Sequence, residues 1–399
     1  MVTPHHDDLA ALLERGQGLP GRFFTEAAIF DLEKQRVFDD TWMCIGLSSD
    51  VPASGDLVPV SVFDRPLLLV RDGTVLRVFH NVCSHRGAML ASSKARGRPR
   101  IVCPYHSWAY KLGGELVSTP HVGGFGRHSC ESLDPKRLGL RSLPCAEWAG
   151  HVFVNFSGTA PEFSQWIRPA AERFASVTAA DWVNDTELAR RLEVQANWKL
   201  IVENFVESYH LPWVHKGLNS VNPMEEHYQI LGGHHYLGQG ATGYEGAKIA
   251  EAKLPLVSGL SDYSRYETLF LFPNLILGPL PDMAFSIVIL PEAVELTRER
   301  VEFFFVGQEA LSAELAAARR TGAIFVCEVN TEDIQIVESA QRGRHSPAFV
   351  GGQFAPAQET TSLQLQKIVA ARLMAADNQR PEDIVQLPTG DIAHAAAAG

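Results

Sequence analysis

Short apolar runs with strand character recur through the first part of the chain. "DRPLLLV" (64–70), "VLRVFH" (75–80) and "HVFVNF" (151–156) predict strands of a small β domain. "SGTAPEF" (157–163) then carries the Gly, Pro and Ser punctuation of a linker. Beyond it the pattern changes. In "NWKLIVENFVESYHLPWVH" (197–215), at about 100° per residue, Trp198, Ile201, Phe205 and Tyr209 form one apolar face, while Glu203, Glu207 and His210 form a stripe opposite. Pro212 is expected to stop or bend this helix before His215. "LFLFPNLILGPLPDMAFSIVIL" (269–290) is apolar enough to suggest a membrane span, but Pro273, Pro279, Pro281 and Asp282 interrupt it, so two buried strands around a turn are expected. In "GAIFVCEVNTEDIQIVESAQRG" (322–343), Val326, Val329, Ile336, Val337 and Ala340 make an apolar helical face with Asp333 at its centre, and Glu328, Glu332 and Glu338 outside it.

These elements suit an α+β chain: a helical segment over 1–41 packing on the larger domain, a small β domain over 42–157, a domain of strands and helices over 158–386, and a disordered tail over 387–399. A length of 399 residues and 46% apolar content suit two domains with cores of their own. The net charge of −11 leaves no basic field for phosphates or anionic lipid, so neither nucleic acid nor a membrane surface is an expected partner. The first residues, "MVTPHHDDLA", have neither a basic nor an apolar leader segment, and a cytoplasmic location is expected.

Six cysteines in such a chain do not make a disulfide framework, and Cys44, Cys130, Cys145 and Cys327 are expected as buried thiols. Cys83 and Cys103 differ, because each has a histidine beside it. "CSH" (83–85) and "CPYH" (103–106) give C-x-H, 17 intervening residues, then C-x-x-H, each at a loop tip between β-rich runs. Zinc sites pair Cys with Cys and His with His, so the mixed pairs suit zinc poorly. A Rieske-type two-iron cluster takes two thiolates on one iron and two imidazoles on the other, and each loop offers one of each.

Here the sequence resembles the Rieske iron–sulfur domain, in the version found in ring-hydroxylating and related oxygenases. Cys83, His85, Cys103 and His106 are its four ligands, with Gly87 and Trp108 matching the flanking pattern. Ala88 and Tyr105 stand where the respiratory version carries an extra disulfide pair, which points away from a respiratory centre.

His210 and His215, five apart across a helix break with carboxylates nearby, suit part of a two-histidine, one-carboxylate iron face. A solvated or hydrogen-bonded role is the plainer reading of either histidine. Asp333, pointing into an apolar face, needs a cation or a buried hydrogen bond between helices. The stretch 197–215 resembles the iron motif of Rieske oxygenase catalytic subunits, and "NTEDIQIVESAQRG" (330–343) their third-ligand segment. The resemblance implies His210, His215 and Asp333 as ligands of a mononuclear ferrous ion and Asn204 beside them. It gives Glu207 the position of an acid that bonds a ligand histidine and, across a subunit boundary, His85 or His106 of the next protomer in a homotrimer. Most aromatic-ring dioxygenases carry Asp there; Glu is similar to the subgroup oxidising carnitine, glycine betaine and related quaternary amines.

The resemblance further implies a helix-grip-like antiparallel sheet in the catalytic domain and the activity of a terminal oxygenase component. It would use O2 and electrons from NAD(P)H, delivered by a separate flavin and iron–sulfur reductase or a ferredoxin, since the chain has no Gly-rich dinucleotide fingerprint. Hydroxylation of a small quaternary amine with C–N cleavage or demethylation is the preferred reaction. Hydroxylation, dihydroxylation or O-demethylation of an aromatic acid is the enzymatic alternative, and a Rieske electron carrier or a metal-binding scaffold the non-enzymatic ones. His234 and His235 read as strand-end residues, and Trp213, Tyr236, Phe270, Phe272 and Phe285 as core or as the walls of a pocket.

Overall fold

The structure, a computed structural model, describes residues 6–175, 181–242, 254–257, 265–375 and 379–393. The chain divides into two compact units, one of residues 39–160 and one of residues 1–38 with 161–399.

The first unit is built from three small antiparallel sheets. Met43–Leu47, His151–Val154 and Cys145–Trp148 form one; Leu57–Val62, Arg65–Asp72, Val75–His80 and Ser142–Leu143 form the second; Ile101–Val102, Ala109–Tyr110 and Leu116–Ser118 form the third. All three expected β runs are strands. Residues 39–41 and 158–160, outside the expected 42–157, belong with this unit. Arg65 grips the Asp39 carboxylate at 2.6 and 2.9 Å, and Asn155 Nδ2 donates to the carbonyls of Asp39 and Thr41.

In the second unit a nine-stranded antiparallel sheet runs in the order Trp182–Asn184, Leu296–Val306, Ala284–Ala293, Leu275–Pro279, Arg265–Leu271, Tyr236–Thr242, His227–Gly232, Thr389–Ala393, with Arg190–Val194 also paired to Leu296–Val306. Helices Trp198–Phe205, Ala316–Arg344 and Thr360–Met374 pack with it. The apolar stretch 269–290 holds parts of three strands and two turns, not two strands and one. Pro273 sits in the first turn, and Leu280 N–H donates to the Met283 carbonyl in the second. Of the tail expected to be disordered over 387–399, residues 389–393 form an edge strand in register with residues 228–232, and residues 394–399 lie outside the described residues. Its alternation is weak, because pairing here rests on backbone hydrogen bonds and not on burial. Among the described residues no helix is long and apolar enough to cross a membrane.

The N-terminal segment joins the second unit through a buried ion pair. Lys199 Nζ lies 2.6 Å from Glu33 Oε1, both side chains fully buried, and Trp198 Nε1 donates to Glu33 Oε2. Leu19 N–H donates to Gln366 Oε1, and Gln366 Nε2 donates to Glu203 Oε1. The expected polar stripe is therefore interior. Burial pushes the Glu203 carboxyl up to about 6 in spite of Arg344 and Gln366 beside it. Of the four thiols expected to be buried, Cys44 is, while Cys130, Cys145 and Cys327 are only partly covered.

Candidate metal centres

In the smaller unit, two loops repeat one backbone device. The Cys83 carbonyl accepts from Gly87 N–H and Cys83 N–H donates to the Ala88 carbonyl; likewise the Cys103 carbonyl accepts from Ser107 N–H and Cys103 N–H donates to the Trp108 carbonyl. Each loop turns through a left-handed residue, Gly87 at φ 75° and Ser107 at φ 57°. This folding back sets each cysteine into the core beside Leu90, Trp108 and Tyr110 and leaves the histidines toward the surface. The two thiols lie within hydrogen-bonding reach, and burial pushes the Cys83 thiol up. The His85 and His106 rings are 4.8 Å apart, and His85 stacks on Trp108 at 4.5 Å and 11°. Burial, then the charges of His106 and Arg86, hold His85 below the usual imidazole range.

These residues fit a two-iron cluster by an observation of their own. His106 Nδ1 is buried with no hydrogen-bond partner, a cost of roughly 1–3 kcal/mol that a metal bond would remove. Tyr110 Oη lies 3.2 Å from Cys83 Sγ and 3.0 Å from Ser84 Oγ, and Ser84 Oγ donates to the Leu138 carbonyl. Burial and the Cys83 sulfur push the Tyr110 phenol up to about 12, so it stays a donor.

In the larger unit, Asn197 caps helix Trp198–Phe205 by accepting from Lys199 N–H. The helix ends at Phe205, earlier than its pattern suggested, so Tyr209 falls beyond it and is 40% exposed. Glu207 makes the break. Its Oε2 accepts from the backbone N–H groups of Tyr209 and His210, and its Oε1 lies 2.5 Å from His210 Nδ1. Pro212 starts a short helix, Leu211–Val214, where its missing N–H costs nothing; it does not end one. His215 follows that helix with its side chain 1% exposed.

Helix Ala316–Arg344 brings the acid. Asp333 Oδ1 is 2.7 Å from His215 Nε2 and 3.5 Å from His210 Nε2, and one ligand atom from each of the three residues lies within 4.8 Å of the others. Burial alone would lower the His215 pKa, but the Asp333 and Glu332 carboxylates raise it. Asn204 Nδ2 is 3.5 Å from His210 Nε2. Val326, Val329 and Asp333 share the inward face as expected, and Val337 is buried. Ile336 is 47% exposed, because helix 316–344 runs past the sheet with that side outward.

Two acids escaped the sequence reading. Glu332 Oε2 lies 2.7 Å from His215 Nδ1, although the wheel set this residue outside the functional face. Glu299 accepts from Asn330 Nδ2 at 2.7 Å, and burial, with Asp333 nearby, pushes it up to about 7. Its charge on a strand of alternating residues gave no sign of burial; Glu332's adjacency to Asp333 was the signal available. His234 lies at a strand end, as expected, with Nε2 2.9 Å from the Val385 carbonyl.

The three converging residues open onto a cavity of about 140 Å³. Phe205, Tyr266, Phe285 and Phe325 supply rings to its wall, Leu211, Leu218, Leu280 and Ile287 aliphatic surface, and His227, Gln239, Thr268 and Asn330 neutral polar groups. Among the described residues that line it, none is lysine or arginine.

Residues 41–135 match the family described as the Rieske [2Fe-2S] domain, and residues 179–375 the ring hydroxylating alpha subunit (catalytic domain). The chain is 29% identical to the carnitine monooxygenase oxygenase subunit of Escherichia coli K12 over 341 residues, covering 84% of this chain and 86% of that protein. It is 26% identical over 364 residues to the chloroplastic choline monooxygenase of Arabidopsis thaliana, covering 86% and 80%. The crystal structure of the quaternary ammonium Rieske monooxygenase CntA with its substrate L-carnitine superposes with a TM-score of 0.76 at 22% identity, covering 94% of this chain and 99% of that one.

Proposed function

Because the chain belongs to the Rieske-type non-haem iron oxygenases and carries their two domains in order, we propose that it is an oxygenase component that hydroxylates a methyl or methylene group beside the nitrogen of a quaternary amine. The supporting observation is the convergence of His210, His215 and Asp333 on the wall of an apolar, aromatic cavity. Rings such as Tyr266, Phe285 and Phe325 suit a trimethylammonium group through cation–π attraction, and the neutral polar groups suit a hydroxyl or carbonyl elsewhere on the substrate. The relatives named for carnitine and choline support the same class.

When bound, the ferrous ion supplies open coordination positions for O2 and the cluster supplies electrons one at a time. His210, His215 and Asp333 offer three donors on one side, which leaves the cavity side free. Asn204 stands beside His210, and the aliphatic wall keeps water from the reacting carbon. Glu207, anchored by two backbone N–H groups, fixes the His210 ring. Per turnover one O2, one NAD(P)H and one proton convert a C–H bond to C–OH and release water. When that carbon is a methyl on nitrogen, the hydroxymethyl product separates into a tertiary amine, formaldehyde and a proton.

Electrons reach an oxygenase subunit of this kind from a reductase or ferredoxin partner. We further propose a cytoplasmic homotrimer in which Glu207 also reaches His85 or His106 of the neighbouring protomer; the histidines at the surface of the cluster unit support an exit for electrons on that side.

The test is EPR of anaerobically reduced protein with nitric oxide, with and without carnitine, glycine betaine, choline and simple aromatic acids. A Rieske signal plus a high-spin iron–nitrosyl signal perturbed by the quaternary amines is expected. Perturbation by aromatic acids alone would replace the substrate class, and a Rieske signal with no nitrosyl would remove His210, His215 and Asp333 as a metal site.

A further inference from the structure

Glu332 and Asp333 are neighbours on helix 316–344, yet their carboxylates meet opposite edges of one imidazole. Asp333 Oδ1 faces His215 Nε2 at 2.7 Å, and Glu332 Oε2 faces His215 Nδ1 at 2.7 Å. We propose that Glu332 is a positioning residue for the iron site, holding His215 with its proton on Nδ1 so that the Nε2 lone pair points at the metal. The inference rests on the reading of His210, His215 and Asp333 as the ligand set.

The argument is geometric. An imidazole can ligate through either nitrogen, and the partner of the other nitrogen selects which. His210 has such a partner in Glu207, 2.5 Å from its Nδ1. Without Glu332, His215 Nδ1 would lose its carboxylate partner and its ring could turn. The two braces differ in setting: the Glu207 side chain is 9% exposed and held by backbone N–H groups, whereas that of Glu332 is 50% exposed. Because ligand and brace sit on consecutive residues of one helix, any shift of that helix moves both together, and the His215 orientation follows Asp333.

The experiment titrates Fe(II), and separately Co(II), into anaerobic protein that keeps its cluster, comparing the parent with Glu332→Ala, Glu332→Gln and Glu328→Gln. Glu328 is exposed one turn earlier on the same helix and controls for lost surface charge. The cluster's EPR amplitude counts folded protein in every sample. Glu332→Ala should bind metal about 10- to 100-fold more weakly and change the rhombicity of the nitrosyl signal, Glu332→Gln should fall between it and the parent, and Glu328→Gln should match the parent. Glu332→Ala within twofold of the parent, Glu332→Gln no tighter than Glu332→Ala, or an equal loss in Glu328→Gln overturns the proposal. A parent that binds no Fe(II) overturns the ligand set itself, a separate result.

Discussion

The two centres are assembled by opposite means. The cluster residues sit on two loops that repeat a single backbone turn within 24 positions, 83 to 106, and orientation comes from main-chain hydrogen bonds. The residues proposed for the iron come from segments 118 positions apart, His215 and Asp333, and their orientation comes from side-chain carboxylates. A site built on backbone turns tolerates changes around it; a site built on side-chain braces fails one brace at a time.

The largest expected effect is the independence of the two. Asp333→Asn should lose the mononuclear iron while the Rieske EPR signal stays at full amplitude, and Cys103→Ser should do the reverse. Metal analysis per protein reads both, and loss of both metals in either variant would show the centres to be coupled in assembly.

The next effect concerns pH. Glu203 titrates at about 6 when folded and near 4.5 when unfolded. Between those values the folded form holds a proton the unfolded form has released, so this group makes stability fall as pH rises through the window, by about 2 kcal/mol in all. Glu203→Gln should flatten the slope of thermal stability between pH 4.5 and 6, and an unchanged slope would mean the Lys199 and Arg344 charges already ionise it.

The paired loops allow a comparison within the cluster unit. Ser107 turns left-handed at φ 57° with a side chain exposed to solvent, so Ser107→Gly should stabilise by about 1 kcal/mol, while Gly87→Ala should destabilise by about 1 kcal/mol. Chemical denaturation that gave both the same sign would break the equivalence of the loops. Smallest is the effect of Tyr110→Phe. Its hydrogen bond to the Cys83 sulfur favours the more negative reduced cluster, so removing about 1 kcal/mol of it should lower the midpoint potential by about 40 mV in redox titration.

The difference also explains what the sequence disclosed. The pairing of Cys83 and His85 with Cys103 and His106 was legible because a repeated turn sets these residues at short constant spacings. The strands of that unit were legible from Leu67–Val70 and its neighbours. His210 and His215 converge with Asp333, but the break between the histidines was assigned to Pro212, when Glu207 and the early end of the helix make it. Proline reads as a breaker wherever it stands, and only the hydrogen bonds show that it begins a turn here. Glu203 was placed on a polar stripe opposite the apolar face because periodicity does not report the second helix, 360–374, that covers it. Glu332 was passed over because a brace works from outside the buried face.

The order of the chain in the fold bears on how the protein is made. Residues 39–160 form one uninterrupted unit whose ends are tied, Ser157 N–H to the Asp39 carbonyl, so everything needed to complete it has emerged from the ribosome by about residue 160. Residues 1–38 emerge first but wait, because Glu33 needs Lys199 and Leu19 needs Gln366. The cluster unit is thus complete while the site proposed for the mononuclear iron, closed last by residue 333, does not yet exist. During synthesis the cell meets two metal-loading problems in sequence, not one.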